Sequence, residues 1–545
     1  MISCANTGRV RGLVLMLLTM VVAGCDGDRT VATLAAVPFP DLSRTDDSVR
    51  NQIQERHAAL ARAQAQPAIT PLELAREFGN TGRLFLAAEL PAAAEACFVN
   101  AETLAPGDMR WPYYLGHVYR TRGDLAKAAS AFERVLRLQP SDLPSLIWTG
   151  RVHLDLGHAE AAEALFAKAL ALRPGTFAAQ FGLGRVALER RSYAQAVREL
   201  EAALVIAPQA SVAHYPLATA YRGLGDQARA DAHMQQRGSL DVFPPDPLME
   251  EIALLLEGPL AYQRRGLEAL GRQAWGDAAA HFRKGLELQP TVPVLRESLR
   301  NKLGAALFQK GDIQGARQQF EEGTRQSPWY AAHHVSLGIL MVLDGRNREA
   351  IQSLRMAVRS DPAYLEAHLQ LADALRRSGM WTESIQEYDE VLRLDPRVSD
   401  ATFGSAMAKV RLGRYGDGVA RLTDGARRHP GERRFLHAIA RLLATAPDAV
   451  VRDGARALSM ARELQASGVS IELAETMAMA LAEVGHFADA VEWQRQVIAA
   501  ARESGDDARR GQALVATLAG YERGEPSRTP WSPDDPIHAP VPVFR

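Results

Sequence analysis

The sequence predicts an all-α solenoid of stacked helical hairpins, and three observations carry that expectation. Prolines recur at a fixed interval: Pro106, Pro140, Pro174 and Pro208 are each 34 residues apart. Three further registers keep step with them. Twelve residues before each proline stands Ala94, Ala128, Ala162 or Ala196, eight before stands Phe98, Phe132, Phe166 or Leu200, and twenty-four before stands Gly82, Gly116, Gly150 or Gly184. Finally, 47% of the 545 residues are hydrophobic but only 6% are aromatic, a composition poor in the bulky residues that favour sheets.

Each 34-residue unit reads as two helices. Leu115, Gly116 and Tyr119 share one face of a first helix, where the small Gly116 admits a close neighbour, and Gly123 supplies a turn. Ala128, Phe132 and Val135 mark the inner face of a second helix, which Pro140 ends. A hairpin of this kind exposes an apolar side that only the next hairpin can cover, so stability is nearest-neighbour in character. The order Leu-Gly, aromatic, Ala, aromatic, Pro resembles the tetratricopeptide repeat. That resemblance covers most of the chain and implies a right-handed superhelix of about twelve repeats in two blocks.

The first block is expected over 75–237, its last hairpin retaining Leu217, Tyr221 and Ala230 without a closing proline. Residues 238–258, with Phe243-Pro244-Pro245 and Pro247, break the rhythm and read as a connector or hinge. The register restarts with Gly266, Ala278, Phe282 and Pro290, and continues through Pro328, Pro362, Pro396 and Pro430, giving a second block over 259–504. A capping helix is expected over 505–522 and a Pro-rich extended or disordered tail over 523–545. Ahead of the array, 25–43 reads as a tether and 44–70 as a further helix.

The N-terminus carries an address. Arg9 and Arg11 precede an apolar run from Leu13 to Val22, too short to span a bilayer. Val22-Ala23-Gly24-Cys25 then resembles a bacterial lipobox. The resemblance implies that residues 1–24 are a signal peptide, that Cys25 is lipidated in the manner of a palmitate-bearing lipoprotein, and that the chain is anchored by lipid to a membrane, facing the periplasm. Asp26 favours the inner membrane slightly over the outer. Loss of Arg9 and Arg11 takes the net charge from -1 to -3, which disfavours nucleic acid as a partner. Cys97, in an apolar stretch, reads as an inert buried thiol.

In repeats of the resembled type, the stripe beside the packing face lines a concave groove. Steps of 34 place Tyr113, Ile147, Phe181 and Tyr215 there as an aromatic-aliphatic ladder, with His117, Arg151 and Arg185 beside it and then Arg120 and Arg222. Such a groove suits an extended segment with acidic and apolar residues. The ladder is equally compatible with aromatics that pack between hairpins and arginines that are merely solvated. In the second block the corresponding ladder is more apolar: Val335, Leu369 and Phe403, with Ile339 and Met407 and then Arg376. It suits a hydrophobic segment, a partner helix or another copy of the chain.

Catalytic motifs are lacking. There is no His-Glu-x-x-His, Gly-x-Ser-x-Gly, phosphate-binding loop or Cys-x-x-Cys, and Gly182-Leu-Gly184 falls in repeat register rather than after a strand. His333 and His334, adjacent on a helix, diverge by about 100° and do not make a shared metal site. No cofactor, metal or catalytic residue is expected, and an enzyme is not expected. The whole chain resembles bacterial tetratricopeptide lipoproteins, a likeness that implies no activity. The function expected is a protein-binding scaffold of the cell envelope. The alternatives are an accessory subunit of an envelope enzyme or polysaccharide-secretion complex, and a binder of an anionic polymer.

Overall fold

In the computed structural model, residues 34–43, 45–466, 468, 470–503, 507–532 and 535–538 are described. The lipobox, including Cys25, lies outside them. Among the described residues there are 27 α-helices, two short 3-10 turns and no strand. The chain forms two units, Met1–Ala261 and Tyr262–Arg545.

In the first unit, α1 (Asp47–Gln64) precedes five hairpins. These are α2 (Pro71–Ala87) with α3 (Pro91–Leu104), α4 (Arg110–Thr121) with α5 (Leu125–Leu138), α6 (Leu143–Asp155) with α7 (Ala159–Leu172), α8 (Phe177–Glu189) with α9 (Tyr193–Ile206), and α10 (His214–Gly223) with α11 (Gln227–Gln235). A nine-residue helix, α12 (Pro247–Leu255), follows. After α13 (Pro259–Gly271), which runs from one unit into the other, come α14 (Trp275–Glu287), α15 (Pro293–Gln309), α16 (Ile313–Gln326), α17 (Ala331–Leu343), α18 (Asn347–Ser360), α19 (Leu365–Arg377) and α20 (Trp381–Leu394). The series ends with α21 (Ser399–Arg411), α22 (Tyr415–Arg428), α23 (Arg433–Thr445), α24 (Gly454–Gln465), α25 (Ile471–Glu483), α26 (Phe487–Glu503) and α27 (Asp507–Glu522).

The repeat registers become contacts. A Cβ built on Gly116 would stand 2.5 Å from the Phe132 ring, one on Gly150 2.7 Å from Phe166, and one on Gly304 2.4 Å from Phe320. Only a residue without a side chain lets the two helices of a hairpin approach this far. The Phe166 ring also presses on Gly182 of the following hairpin, 2.5 Å from where its Cβ would be, so one aromatic ties two repeats together. Turns within hairpins need a left-handed residue, supplied by Gly123 at φ 78° and, in the α8–α9 turn, by Arg191 at φ 56°. Aspartates cap many helix starts; Asp142, for example, accepts from the Ser145 amide at 2.9 Å.

Two segments expected to be irregular are ordered by packing. Within 238–258, α12 lies on α2, burying Ile252 against the first core, while Arg83 pairs with Glu251 at 2.6 Å and the Gln52 amide donates to the Leu255 carbonyl at 2.7 Å. In the second unit α27 lies on α26, with the buried Gln494 donating to the Leu514 carbonyl at 3.0 Å. Beyond α27 the chain remains attached: Trp531 is 9% exposed and joins the core cluster that contains Tyr521.

Replacing Gly150 by Leu should cost about 1–3 kcal/mol by overpacking the α6–α7 contact. Urea denaturation checks the magnitude. Hydrogen exchange should show faster opening over α6–α9, with α15–α26 unchanged.

Candidate functional site

The concave face of the first unit is formed by the first helices of successive hairpins, and it is occupied by the chain itself. Residues 238–246 run along it. At one end the Val212 amide donates to the Leu240 carbonyl at 3.1 Å, and the Leu240 amide donates to Ser211 Oγ at 3.1 Å. Arg151 then grips Asp241 through Nη1 at 2.8 Å and Nη2 at 3.2 Å, a forked pair whose second bond fixes direction as well as charge. Phe243 stacks on Trp148 with ring centres 4.6 Å apart, and the Arg151 guanidinium lies 5.0 Å from the Phe243 ring centre.

At the other end sits Asp246, buried to 8% exposure. A carboxylate so placed requires donors. Tyr113 Oη and Trp148 Nε1 donate to one oxygen, the latter at 3.3 Å, and the Met249 amide donates to the other at 3.2 Å. Burial, followed by the charge of Asp246, pushes the Tyr113 hydroxyl far above the usual phenol range. Asp246 thus both anchors the segment and caps α12, which opens with Pro247.

The residues singled out on the first ladder divide into three groups. Tyr113, His117, Ile147 and Phe181 are buried, the first two beneath or beside the seated segment and the last stacked on Phe177 at 5.5 Å. Arg151 is engaged as described; Arg120 lies over Trp148 at 4.5 Å, and Arg185 pairs with Asp155 at 3.1 Å. Tyr215, 58% exposed, and Arg222 are open to solvent. Beside residues 238–241 the groove stays open, a hollow of about 710 Å³ lined by Phe181, Arg185, Val212, Tyr215 and Arg237.

In the second unit, the concave face holds residues 530–532 and 535–538. Arg376, 5% exposed, donates from Nη1 to the Ile537 carbonyl at 2.9 Å. Arg441 donates to the Pro530 carbonyl, and its guanidinium lies 5.6 Å from the Trp531 ring centre. Arg441 and Arg510 meet on the buried Glu475 at 2.9 and 2.5 Å. Burial alone would raise the Glu475 pKa, but the two arginines outweigh it and hold it low. Val335, Ile339, Leu369 and Met407 are core residues, and Phe403 is half-buried, edge-on to Phe435 at 5.7 Å.

Sequence reasoning missed Trp148, Arg441 and the seated segments. One more step of 34 beyond Met407 reaches Arg441, and the acidic-aromatic composition of 241–246 is the chemistry expected of a groove ligand. It missed a buried pair as well: His333 Nε2 lies 3.1 Å from Glu297 Oε2, both side chains fully covered, while His334 Nε2 faces the Pro328 carbonyl at 3.0 Å. Among the described residues no group of three or more His, Cys, Asp and Glu could hold a metal ion. Cys97 is free and buried, its thiol pushed up to about 12 by burial.

The molecule is therefore a solenoid of helical hairpins whose concave faces can hold extended chain. A tetratricopeptide-repeat family model matches residues 80–142, 149–211 and 344–399, and the fold is an all-α tetratricopeptide solenoid. Such repeats generally mediate protein–protein interaction and peptide binding, and scaffolds built from them are generally non-enzymatic. No curated protein sequence matches the chain. Among solved structures, a tetratricopeptide repeat protein from Parabacteroides merdae is 19% identical, covering 48% of this chain and 92% of its own, with TM-score 0.32. Yeast Tom70 is 14% identical over 65% and 91%, with TM-score 0.30. MamA from Desulfovibrio magneticus RS-1 is 20% identical over 30% and 92%, with TM-score 0.29.

His117 provides a pH signature. Its ring lies among Tyr113, Phe132 and Trp148 at 4.9–5.2 Å, with neither nitrogen hydrogen-bonded, and burial, then Arg120, pushes its pKa down to about 3. Below about pH 6.5 the unfolded chain takes up a proton that the folded chain refuses. Stability should therefore fall as pH drops from about 6.5 toward 3, by roughly 1 kcal/mol per pH unit from this residue. In urea titrations His117→Phe should reduce the loss of stability between pH 7 and pH 5.

Proposed function

We propose that this protein is a binding scaffold of the bacterial cell envelope, taking extended segments of partner proteins along its concave faces. One observation supports this above the others. The first unit's face already holds an extended acidic-aromatic segment, Asp241 to Asp246, through Arg151, Trp148 and Tyr113. The same face continues into the open hollow at Phe181, Arg185, Tyr215 and Arg237, lined by the exposed Tyr215 ring and three guanidinium groups, of which Arg151 pairs with Asp241 and Arg185 with Asp155. Partner chain entering there meets apolar contact and positive charge, and bonds to charged groups are stronger than neutral ones.

In this reading Tyr215 replaces Phe181 as the aromatic that meets the partner, because Phe181 is committed to packing. Arg185 and Arg237 attract acidic residues. The anchor follows from the lipobox: cleavage after Gly24 and lipid on Cys25 would hold the solenoid to the membrane at its periplasmic side. No helix among the described residues is long and apolar enough to cross a membrane.

A photocrosslinking amino acid placed at position 215 in cells should give discrete protein adducts. Arg185→Glu combined with Arg237→Glu should reduce them at least several-fold while native helicity is kept. Adducts of undiminished yield, or none at all, would overturn the reading.

Membrane attachment is checked separately. Cys25→Ser should abolish labelling by a radiolabelled fatty acid and move the chain out of the detergent phase. Persistent detergent partitioning would remove the lipid anchor.

A further inference from the structure

The two seated segments share a pattern. In the first unit Phe243-Pro244-Pro245 leads to Asp246-Pro247-Leu248, and in the second Trp531-Ser532-Pro533 leads, through Asp534, to Asp535-Pro536-Ile537. Each is an aromatic residue, then proline, then Asp-Pro-aliphatic.

The likeness extends to conformation. Asp246 accepts from the amide of Met249 and starts a helix at Pro247. Asp535 accepts from the amide of Ile537 at 3.0 Å and starts a helical turn at Pro536. It extends also to recognition. Arg151 follows Gly150, the small residue of its first helix, and Arg441 follows Ala440, the small residue at the same repeat position. Arg151 stacks over Phe243 and Arg441 over Trp531.

We propose that the concave face of the second unit is a binding site for partner segments of the form aromatic–X–Pro followed by Asp-Pro-aliphatic, and that the chain's own residues seated there, Pro530, Trp531, Ile537 and His538, are a resident stand-in which such a segment displaces. The proposal rests on the reading that these faces bind extended chain. It goes further by naming the ligand's pattern and the occupant that competes with it.

Three features set this site apart from the first unit's. The grip is largely on backbone: Arg376 and Arg441 hold the carbonyls of Ile537 and Pro530, which any extended segment presents. The groove is incompletely filled, with about 320 Å³ left beside Trp531 and Ile537, lined by Phe403, Arg434, His437 and Arg510. The lining is charged, with three arginines, Arg434, Arg441 and Arg510, beside two acidic residues, Glu472 and Asp535, and Arg411 lies 5.2 Å from the Trp381 ring, against which His538 rests. The first unit's segment, by contrast, is continued by α12 docked on α2, and is a fixed part of the fold.

The test uses a fluorescein-labelled peptide of the sequence Thr529–His538, titrated by anisotropy into the full chain. Binding to a Trp531→Ala/Ile537→Asp variant should be at least tenfold tighter than to the unaltered chain. A peptide with Ala in place of Trp should lose that binding, and Arg376→Gln on the variant background should weaken it. Equal binding to both chains, or none to a variant that keeps native helicity, overturns the proposal. If the double variant does not fold, Ile537→Ser takes its place and the same ordering is required. Concentration-dependent dimers abolished by Trp531→Ala would make a second copy the occupant and overturn the assignment to a partner. Adducts at position 215 without peptide binding would leave the scaffold reading standing and remove only this one.

Discussion

The contact on which everything else depends is a small residue on the first helix of each hairpin against a ring or branched chain on the second. Gly82 meets Phe98, Gly116 meets Phe132, Gly266 meets Phe282, and where the ring is absent Gly184 meets Leu200 and Gly338 meets Leu354. The approach sets the separation of the two helices. Because Phe166 presses on Gly182 as well as Gly150, the same side chain also sets the separation of successive hairpins. In the hairpin of α19 and α20 the arrangement shifts: Tyr388 presses on Gly404 of the next repeat, and its hydroxyl donates to Asp373. The close-packed position can therefore move between hairpins without breaking the stack.

That spacing determines what the concave faces can do. First helices held in a row bring the residue after each small position into line, and at four of these places it is arginine: Arg83, Arg151, Arg185 and Arg441. Guanidinium suits the task because its flat face covers an aromatic ring while its edge donates in a fork. Arg151 uses both, on Phe243 and Asp241; Arg441 uses its face on Trp531 and its edge on Glu475 and Pro530. The buried charges are compensated locally. Asp246 has three donors and Glu475 has two arginines, so neither carboxylate stands unpaired in the interior.

The hairpins were legible because each repeats the same contact, and a contact repeated every 34 residues leaves a trace in composition. The seated segments were not, because each occurs once and owes its order to tertiary contacts. α12 has only nine residues and follows Pro244-Pro245-Asp246-Pro247, which reads locally as a break. The ladder residues were placed on the right stripe, but period alone cannot say whether a stripe is covered. Tyr113 and His117 are buried because residues from 243 to 246 and Trp148 close over them, and Trp148 itself lies one position off the stripe. The buried Glu297–His333 pair joins two different hairpins, so no local pattern announces it.

An Asp-Pro step explains why an extended segment can be held firmly without forming a sheet. Proline fixes its own φ and restricts the residue before it to extended conformations, so the segment gives up little further freedom on docking. The aspartate then turns the chain into a helix, satisfying amides that would otherwise be left open at the helix start. In the first unit that helix is α12, which has its own apolar side to bury on α2. In the second it is a single turn ending at His538, which rests edge-on to Trp381 and Trp531. The same entry into a groove is thus continued in the first unit by an apolar helix face and, among the described residues of the second, by a histidine packed on two indole rings.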